Sequence, residues 1–243
     1  SVAEGFRALK GEPPESFYSS SGRAEIIGND TDHNQGKVIV AAISCDIVAA
    51  VKKRNDGVAE IVSKGFKPIR FRLSDTSLKR HETGRSASLA RGVAAAIAKR
   101  GFPVKEFGGF SAYTESTVFR GAGVSSSAAF EVLIAAILDG LYNGFIVDAK
   151  TRAVIAQKVE NVYFGKPCGL MDQMASSVGG MVTIDFKEKD AKVEAIACDF
   201  SAKGYALCVV NTGGDHGDLT DDYAAIRKEM EAVAAHFGKH VLR

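Results

Sequence analysis

The feature that most constrains the fold is a loop of small residues that leads directly into a strongly periodic helix. The loop reads Gly121-Ala122-Gly123-Val124-Ser125-Ser126-Ser127. Glycines let the backbone approach a ligand closely, and the free N–H groups at a helix N-terminus attract anions. The segment therefore predicts a phosphate-binding loop, with a flexible surface loop capped by serine as the alternative. The helix begins near Ser126, and its broad apolar face comprises Phe130, Leu133, Ile134, Ile137, Leu138 and Leu141.

This loop matches neither of the two common nucleotide-binding patterns. The chain lacks the pattern G-x-x-x-x-G-K-[ST], and it lacks the full pattern G-x-G-x-x-G. The sequence therefore favours neither a P-loop nucleoside triphosphatase nor a dinucleotide-binding fold.

Composition and charge exclude several classes of function. The 243 residues are 46% hydrophobic and 25% charged, as in an ordinary globular protein. The net charge is +2, and the basic residues are spread along the chain rather than clustered. A nucleic-acid-binding face is therefore not predicted. No apolar run reaches the ~18 residues that suggest a membrane span, because Glu131 interrupts the most apolar stretch. The four cysteines form no C-x-x-C pair, so we expect buried thiols in a reducing cytoplasm. We also expect either a monomer or a weak homodimer.

Hydrophobic periodicity predicts both strands and helices along the chain. The predicted strands are 38–43, 47–51, 69–73, 180–186, 193–198 and 205–211, with a hairpin turn at Asn55-Asp56-Gly57. Besides the helix near Ser126, the predicted helices are 86–100, closed by Gly101; 149–162, with Asp148 as N-cap; and one capped by Thr220 with Tyr223, Ile226, Met230, Val233 and Phe237 on one face.

A domain boundary is predicted near residue 200. One strand and one helix after that point cannot bury each other's apolar surface well. We therefore expect residues 1–200 to form one domain and residues 201–243 to begin a second, incomplete one.

Two further segments carry side chains suited to binding and acid–base chemistry. Residues 22–34 place carboxylates and amides beside Arg23, where they could bind several sugar hydroxyls or form an Asx-rich turn. The other segment joins Glu160-Asn161 to residues 168–174. Asp172 there lies among small and apolar residues, so it either needs a partner such as Arg23 or caps a helix.

In order and separation, the three segments resemble the motifs of the GHMP small-molecule kinases, and within them the galactokinases. Residues 22–36 resemble the signature G-R-x-N-x-I-G-E-H-T-D-Y-N-x-G, and residues 121–129 resemble G-G-G-L-S-S-S-A-S. Glu160-Asn161 and residues 168–173 resemble E-N followed by C-G-I-M-D-Q, and residues 211–228 resemble a late N-x-N…Y-x-x-R-R segment. The resemblance runs from about residue 12 to the end of the chain.

This resemblance implies an α+β, GHMP kinase-like two-domain fold. The first domain would have a mixed sheet and helices, the second would be the start of an α+β domain, and the active site would lie between them. The implied reaction is ATP-dependent phosphorylation of galactose, or a close hexose, at its anomeric hydroxyl to give the sugar 1-phosphate. The implied cofactors are ATP and Mg²⁺, and the implied partner is a small sugar. By the same resemblance, we expect the 243-residue chain by itself to be inactive or severely impaired, because galactokinase-like chains continue further.

The resemblance also assigns roles to individual residues. Asp172 would be the catalytic aspartate and Arg23 its partner, offsetting charge on the transferring phosphoryl group. Ser127 and Glu160 would be the Mg²⁺ ligands, an oxygen pair that suits a hard cation. The ATP phosphates would be held by Gly121, Gly123, Ser125, Ser126 and Ser127, and the sugar by Asn29, Asp30, Asp32, Gly169 and Tyr223.

Departures from the family pattern fall in the sugar-binding segment. The usual Glu-His is Asn29-Asp30, the usual Tyr is His33, the Asn after Arg-x is Glu25, and the Pro before Gly-Arg is Ser21. Recognition of hydroxyl groups must therefore differ in detail, whereas the residues for phosphoryl transfer are retained. The alternatives are a regulatory sensor that binds galactose and ATP without turnover, or a GHMP kinase for another sugar such as N-acetylgalactosamine.

Overall fold

A mixed β-sheet covered by helices forms the scaffold of the chain. The computed structural model describes residues 1–29, 31–102, 108–119, 121–210 and 220–243, with the side chains at 220, 221 and 223 outside that description. The strands are β1 (Ser16–Ile27), β2 (Lys37–Lys53), β3 (Val58–Ser63), β4 (Ile69–Arg72), β5 (Gly109–Ser116), β6 (Met181–Asp185) and β7 (Lys192–Ala195). The helices are α1 (Val2–Lys10), α2 (Ser86–Lys99), α3 (Ser126–Tyr142), α4 (Ala149–Val159), α5 (Met171–Val178) and α6 (Thr220–His236).

Strand β2 organises the sheet because its 17 residues are long enough to serve two neighbours on one edge. Its N-terminal half pairs with β6 and its C-terminal half with β5, while β1 pairs with it along the other edge. The strand order in the described residues is β4-β3-β5-β2-β6-β7, with β1 off this path, and only β3 and β5 run parallel. The α+β class with a mixed sheet is confirmed.

The core divides along β2. The larger apolar cluster packs β2, β3 and β5 against α2 and α3, with side chains such as Ile61, Phe110 and Leu133 fully buried. A smaller cluster packs the start of β2 and β6 against α5, through Val40, Met174 and Ile184 among others. Helix α5 therefore packs against β1, β2 and β6.

Most predicted helices and strands are confirmed. Two predictions need correction, one within β2 and one at the turn that follows it. Residues 38–43 and 47–51 belong to one strand, because β2 continues through Ser44-Cys45-Asp46. The turn at Asn55-Asp56-Gly57 is present, with Gly57 at φ 69°, but it does not close a hairpin. Strand β5 lies between β2 and β3 and pairs with both. This pairing depends on residues far along the chain, so a local turn pattern could not predict it.

The predicted strand at 205–211 is wrong over its described residues, 205–210. That stretch has no strand pairing, and Tyr205 and Val210 are 70% and 78% exposed. Alternating apolar residues become a strand only against a neighbouring strand, and the described part of the chain supplies none there. Asn211 lies outside the described residues.

Helix α6 forms where it was predicted, but its apolar face packs less than expected. Ile226, Val233 and Phe237 are about half exposed or more, and Ala234 is the buried residue among the described side chains of this helix. Met230 contacts the turn Asp32–Asn34. Within the described ranges, no helix has the length and apolar content needed to cross a membrane.

Candidate active site

The predicted phosphate-binding loop ends in an uncapped helix N-terminus. Gly121 and Gly123 have φ values of 69° and 72°, and Ser125 adopts the left-handed conformation at φ 61°. Helix α3 starts at Ser126, and no side chain caps its first turn. Backbone N–H groups of that turn are therefore left to an external acceptor, which suits a phosphate. The five loop residues predicted to contact phosphates lie together here.

Asp172 and Arg23 meet beside this loop, as the sequence predicted. Arg23 Nε donates to Asp172 Oδ1 at 2.8 Å, and its Nη2 lies 2.6 Å from the same oxygen. Arg23 Nη1 also donates to the carbonyl of Gly123, while Ser125 Oγ donates to Asp172 Oδ2. The aspartate side chain remains 34% exposed, so a small molecule can reach it. The structure thus joins the loop, β1 and α5 at one carboxylate.

Close backbone packing explains how β1 delivers Arg23 to the loop. The backbone N–H of Arg23 donates to the carbonyl of Val124 at 3.2 Å. A Cβ at Gly22 would lie 2.7 Å from that carbonyl oxygen, so only glycine allows the strand to approach the loop this closely. The pairing register of β1 with β2 shifts between Ser21 and Arg23, and such irregularities re-aim side chains near sites.

Glu160 and Ser127 form the second contact of the site. Glu160 lies in a five-residue π-helical turn, Glu160–Phe164, at the end of α4, and it is 2% exposed. Ser127 Oγ donates to Glu160 Oε1 at 2.9 Å, and Gln173 Nε2 donates to Glu160 Oε2 at 2.7 Å. Burial raises the pKa of Glu160, while Lys166 and the Ser127 hydrogen bond oppose that rise.

Glu131 is a residue of the site region to which sequence reasoning gave no role. It lies on α3, is fully buried, and its Oε2 is 3.4 Å from Gln173 Nε2. Burial, followed by the nearby charge of Glu160, raises its pKa well above the ordinary value. The available signal was a single carboxylate within the most apolar run of the chain, where an unpaired charge is costly.

The Asn161 side chain fixes the loop that precedes α5. Its Oδ1 accepts from the Cys168 backbone N–H at 2.8 Å, and its Nδ2 donates to the Cys168 carbonyl at 3.4 Å. Burial raises the pKa of the Cys168 thiol, so this cysteine is held as a neutral group. The pair Glu160-Asn161 therefore serves two tasks, one at the loop of α3 and one at the loop of α5.

Asp32 is buried against the same loop. Its Oδ2 accepts from the Met171 backbone N–H at 3.0 Å, and its Oδ1 accepts from the His33 backbone N–H at 2.8 Å. A Cβ at Gly169 would lie 1.7 Å from Asp32 Oδ2, so glycine is required for this approach. The structure brings together these two residues predicted for the sugar.

Of the remaining predicted sugar residues, Asn29 is described with its side chain. Asn29 is exposed and has φ 53°, a left-handed conformation that asparagine tolerates better than most residues. Asp30 and the side chain of Tyr223 lie outside the described residues. His33, one of the departures from the family pattern, places its Nε2 3.2 Å from Met230 Sδ on α6.

Comparisons with known proteins agree with this geometry. Residues 86–180 match the GHMP kinases N terminal domain, and residues 4–53 match the galactokinase galactose-binding signature. The kinase resemblance read from the motifs is therefore confirmed.

A galactokinase of Streptomyces coelicolor is 34% identical over 247 aligned residues, covering 100% of this chain and 62% of the relative. Among solved structures, Lactococcus lactis galactokinase complexed with galactose matches 98% of this chain and 61% of its own, with a TM-score of 0.78 at 21% identity. Methanococcus jannaschii mevalonate kinase matches 77% of this chain and 57% of its own, with a TM-score of 0.64 at 15% identity. Both structures share the GHMP kinase fold with this chain, which spans about 60% of the galactokinases it matches.

Proposed function

We propose that this GHMP kinase domain belongs to an enzyme that uses ATP to phosphorylate galactose, or a close hexose, at the anomeric hydroxyl. The observation that carries the proposal is that the Asp172 carboxylate accepts hydrogen bonds from Arg23 and from Ser125 of the predicted phosphate-binding loop. An acceptor for a hydroxyl proton therefore stands beside a site for phosphates. The 34% identity to a galactokinase and the galactose-binding signature over residues 4–53 support the choice of sugar.

Asp172 would orient the anomeric hydroxyl and accept its proton. Each carboxylate oxygen has more than one lone pair, so Oδ2 can accept a second hydrogen bond beside that of Ser125. The anomeric oxygen then bonds to the γ-phosphorus as the bond to the ADP oxygen breaks, and the proton rests on Asp172 before release to solvent. Arg23 offsets negative charge on the phosphoryl group and fixes the aspartate in place.

The chain's own residues fit ATP and Mg²⁺. The uncapped first turn of α3 offers backbone donors to phosphate oxygens, and Ser127 and Glu160 offer two hard oxygen ligands 2.9 Å apart. The described residues contain no cluster of three His, Cys, Asp or Glu side chains that could hold a metal. Mg²⁺ usually keeps waters and phosphate ligands, so a hydroxyl and one carboxylate suffice on the protein side. When bound, the ion neutralises charge on the phosphates.

Asp32 and Gly169 would form the floor of the sugar site, and Asn29, Asp30 and Tyr223 its edge. Asp32 is buried and held by two backbone N–H groups, so a hydroxyl bound to it would meet a fixed acceptor. Hydrogen bonds to such rigid, buried groups discriminate between sugars that differ in one hydroxyl.

The domain boundary near residue 200 is part of the same proposal. Strand β7 ends at Ala195, and residues 205–210 lie exposed without joining the sheet that the structure describes. These observations support a first domain over residues 1–200.

A coupled assay of ADP release by the full-length protein tests the function. Galactose, N-acetylgalactosamine, glucose and mevalonate are offered in turn, and ³¹P NMR identifies the phosphorylated position. We expect turnover with galactose and a 1-phosphate product. Turnover with mevalonate alone, or tight calorimetric binding of galactose and ATP without transfer over hours, would contradict the proposal, the second outcome favouring a sensor.

A further inference from the structure

A buried polar cluster lies directly beneath the phosphate-binding loop. Its members are Glu131 on α3, Gln173 on α5 and Glu160 on the π-helical turn, and they are 0%, 0% and 2% exposed. Gln173 stands between the two carboxyls, with its Nε2 at 2.7 Å from Glu160 Oε2 and 3.4 Å from Glu131 Oε2. The same nitrogen lies 3.6 Å from Cys168 Sγ.

Two oxygens of this cluster have no hydrogen-bond partner among the described residues. They are Oε1 of Glu131 and Oε1 of Gln173. A buried polar group without a partner costs on the order of 1–3 kcal/mol relative to a satisfied one. Apolar side chains of similar volume would pack here at lower cost, so packing alone gives no reason for an amide and a carboxyl at these positions.

The two carboxylate oxygens of Glu160 have different partners. Gln173 holds Oε2, while Oε1 faces Ser127 at 2.9 Å. A neutral amide can hold a carboxylate oxygen without cancelling its charge, whereas a lysine or arginine in its place would compete with a cation. Partners of this kind fix the orientation of metal-binding carboxylates.

We propose that Gln173 is a positioning residue that holds the Glu160 carboxylate for a divalent cation, with Glu131 anchoring the amide from behind. This inference rests on the proposed function, because it takes Ser127 and Glu160 as the ligands. Gln173 touches neither sugar nor phosphate in this scheme. It acts through Glu160, and its loss would therefore weaken cation binding more than sugar binding.

The test measures Mn²⁺ affinity of the full-length protein by electron paramagnetic resonance in the presence of ADP. The variants are Gln173→Met, which keeps the volume but removes the donor, and Ser176→Ala as a matched control. Ser176 is buried on the same helix, and its hydroxyl has no hydrogen-bond partner among the described residues. Loss of a partner that orients a metal ligand typically costs 10–100-fold in affinity, so we expect Mn²⁺ to bind about tenfold more weakly to Gln173→Met and unchanged to Ser176→Ala.

A second pair of variants keeps the test decisive if Gln173→Met does not fold. Glu131→Gln retains an oxygen that can accept from Gln173, and Glu131→Met does not. We expect wild-type Mn²⁺ affinity in the first and weaker affinity in the second. Raising Mg²⁺ should restore the turnover of Glu131→Met, whereas damage to packing alone would lower the melting temperature without responding to Mg²⁺.

The outcomes separate this inference from the function on which it rests. Wild-type protein that neither binds Mn²⁺ with ADP nor turns over sugar would overturn both. Wild-type binding with unchanged affinity in Gln173→Met, or in Glu131→Met if that is the folded variant, would overturn the positioning role alone.

Discussion

The two halves of the candidate site are built differently. In the proposed phosphoryl-transfer centre, Asp172 is hydrogen-bonded to β1 and to the loop before α3, and Glu160 is hydrogen-bonded to α3 and α5. In the sugar-binding segment, Asn29 is exposed in a left-handed turn and His33 turns toward Met230 of α6. Among the described residues, one half is fixed from several elements at once, and the other is held at its base by Asp32 while Asn29 is exposed.

This difference explains where the chain departs from the family pattern. A substitution at Asp172 or Glu160 breaks contacts to more than one element, so the sequence around the centre has little freedom. A substitution at Asn29 or His33 alters the edge of the site and leaves the sheet intact. If the proposed function holds, sugar preference can therefore change while the chemical step is kept.

The largest expected effect comes from Asp172→Asn. The amide cannot accept the hydroxyl proton and cannot pair with Arg23, so we expect kcat to fall by about 10²–10⁴-fold with little change in KM for ATP. Steady-state kinetics with galactose measures both. Ser125→Gly, which removes one hydrogen bond and tolerates the backbone conformation, should lose much less. Activity of Asp172→Asn within a few-fold of wild type would remove this residue from the mechanism.

A smaller loss is expected from Gly169→Ala, which tests the base of the sugar-binding segment. The new methyl group would collide with the Asp32 carboxylate, which cannot swing away without losing the Met171 N–H. Overpacking of this kind costs about 1–3 kcal/mol, and we expect a lower free energy of unfolding and a KM for galactose raised about tenfold.

The double variant Gly169→Ala/Asp32→Ala separates the two effects. It should recover stability, because the clash is gone, without recovering sugar binding. Urea unfolding and calorimetric titration with galactose provide the double-mutant cycle. Additive losses of stability would show that the two residues do not meet.

The edge of the sugar-binding segment is tested by restoring the family residues with Asn29→Glu and Asp30→His. If these side chains contact distal hydroxyls, the ratio of kcat/KM between galactose and N-acetylgalactosamine should change. The change should correspond to a free-energy difference on the order of 1–2 kcal/mol. Because Asn29 has a positive φ, glutamate there should also cost about 1 kcal/mol of stability. Asn29→Gly controls for the backbone, and an unchanged ratio would place both side chains away from the sugar.

The smallest expected effect is a pH-dependent gain in stability in Glu131→Gln. Burial raises the pKa of Glu131 above 4.5, so the folded carboxyl keeps its proton where the unfolded one has lost it. Wild-type stability therefore falls as pH rises above about 4.5 toward the folded pKa, with a slope of at most about 1.4 kcal/mol per pH unit. The glutamine variant lacks this loss and should become relatively more stable as pH rises.

Urea unfolding between pH 5 and 8.5 measures the difference between the two curves. Glu188→Gln, a change at an exposed position, serves as the control and should run parallel to wild type. Parallel curves for Glu131→Gln as well would show that the folded carboxyl is ionised.

Local chemistry allowed much of the fold to be predicted. Glycines and serines before an apolar repeat predicted the loop and α3, and Asp148 predicted the start of α4, where it accepts from the Thr151 backbone N–H. These features depend on neighbouring residues, which the sequence displays directly. The hairpin at Asn55-Asp56-Gly57 and, over its described residues 205–210, the predicted strand were wrong because strand pairing depends on distant partners.

For the site, the sequence by itself determined which groups are present, including Arg23, Asp172, Ser127 and Glu160. The tertiary structure decided how they meet. Arg23 and Asp172 are 149 positions apart in the chain, and the approach of β1 to the loop of α3 brings them within hydrogen-bonding distance. The raised pKa of Glu131 and its contact with Gln173 likewise depend on the tertiary structure, because the cost of an ion depends on everything that packs around it and not on its neighbours in sequence.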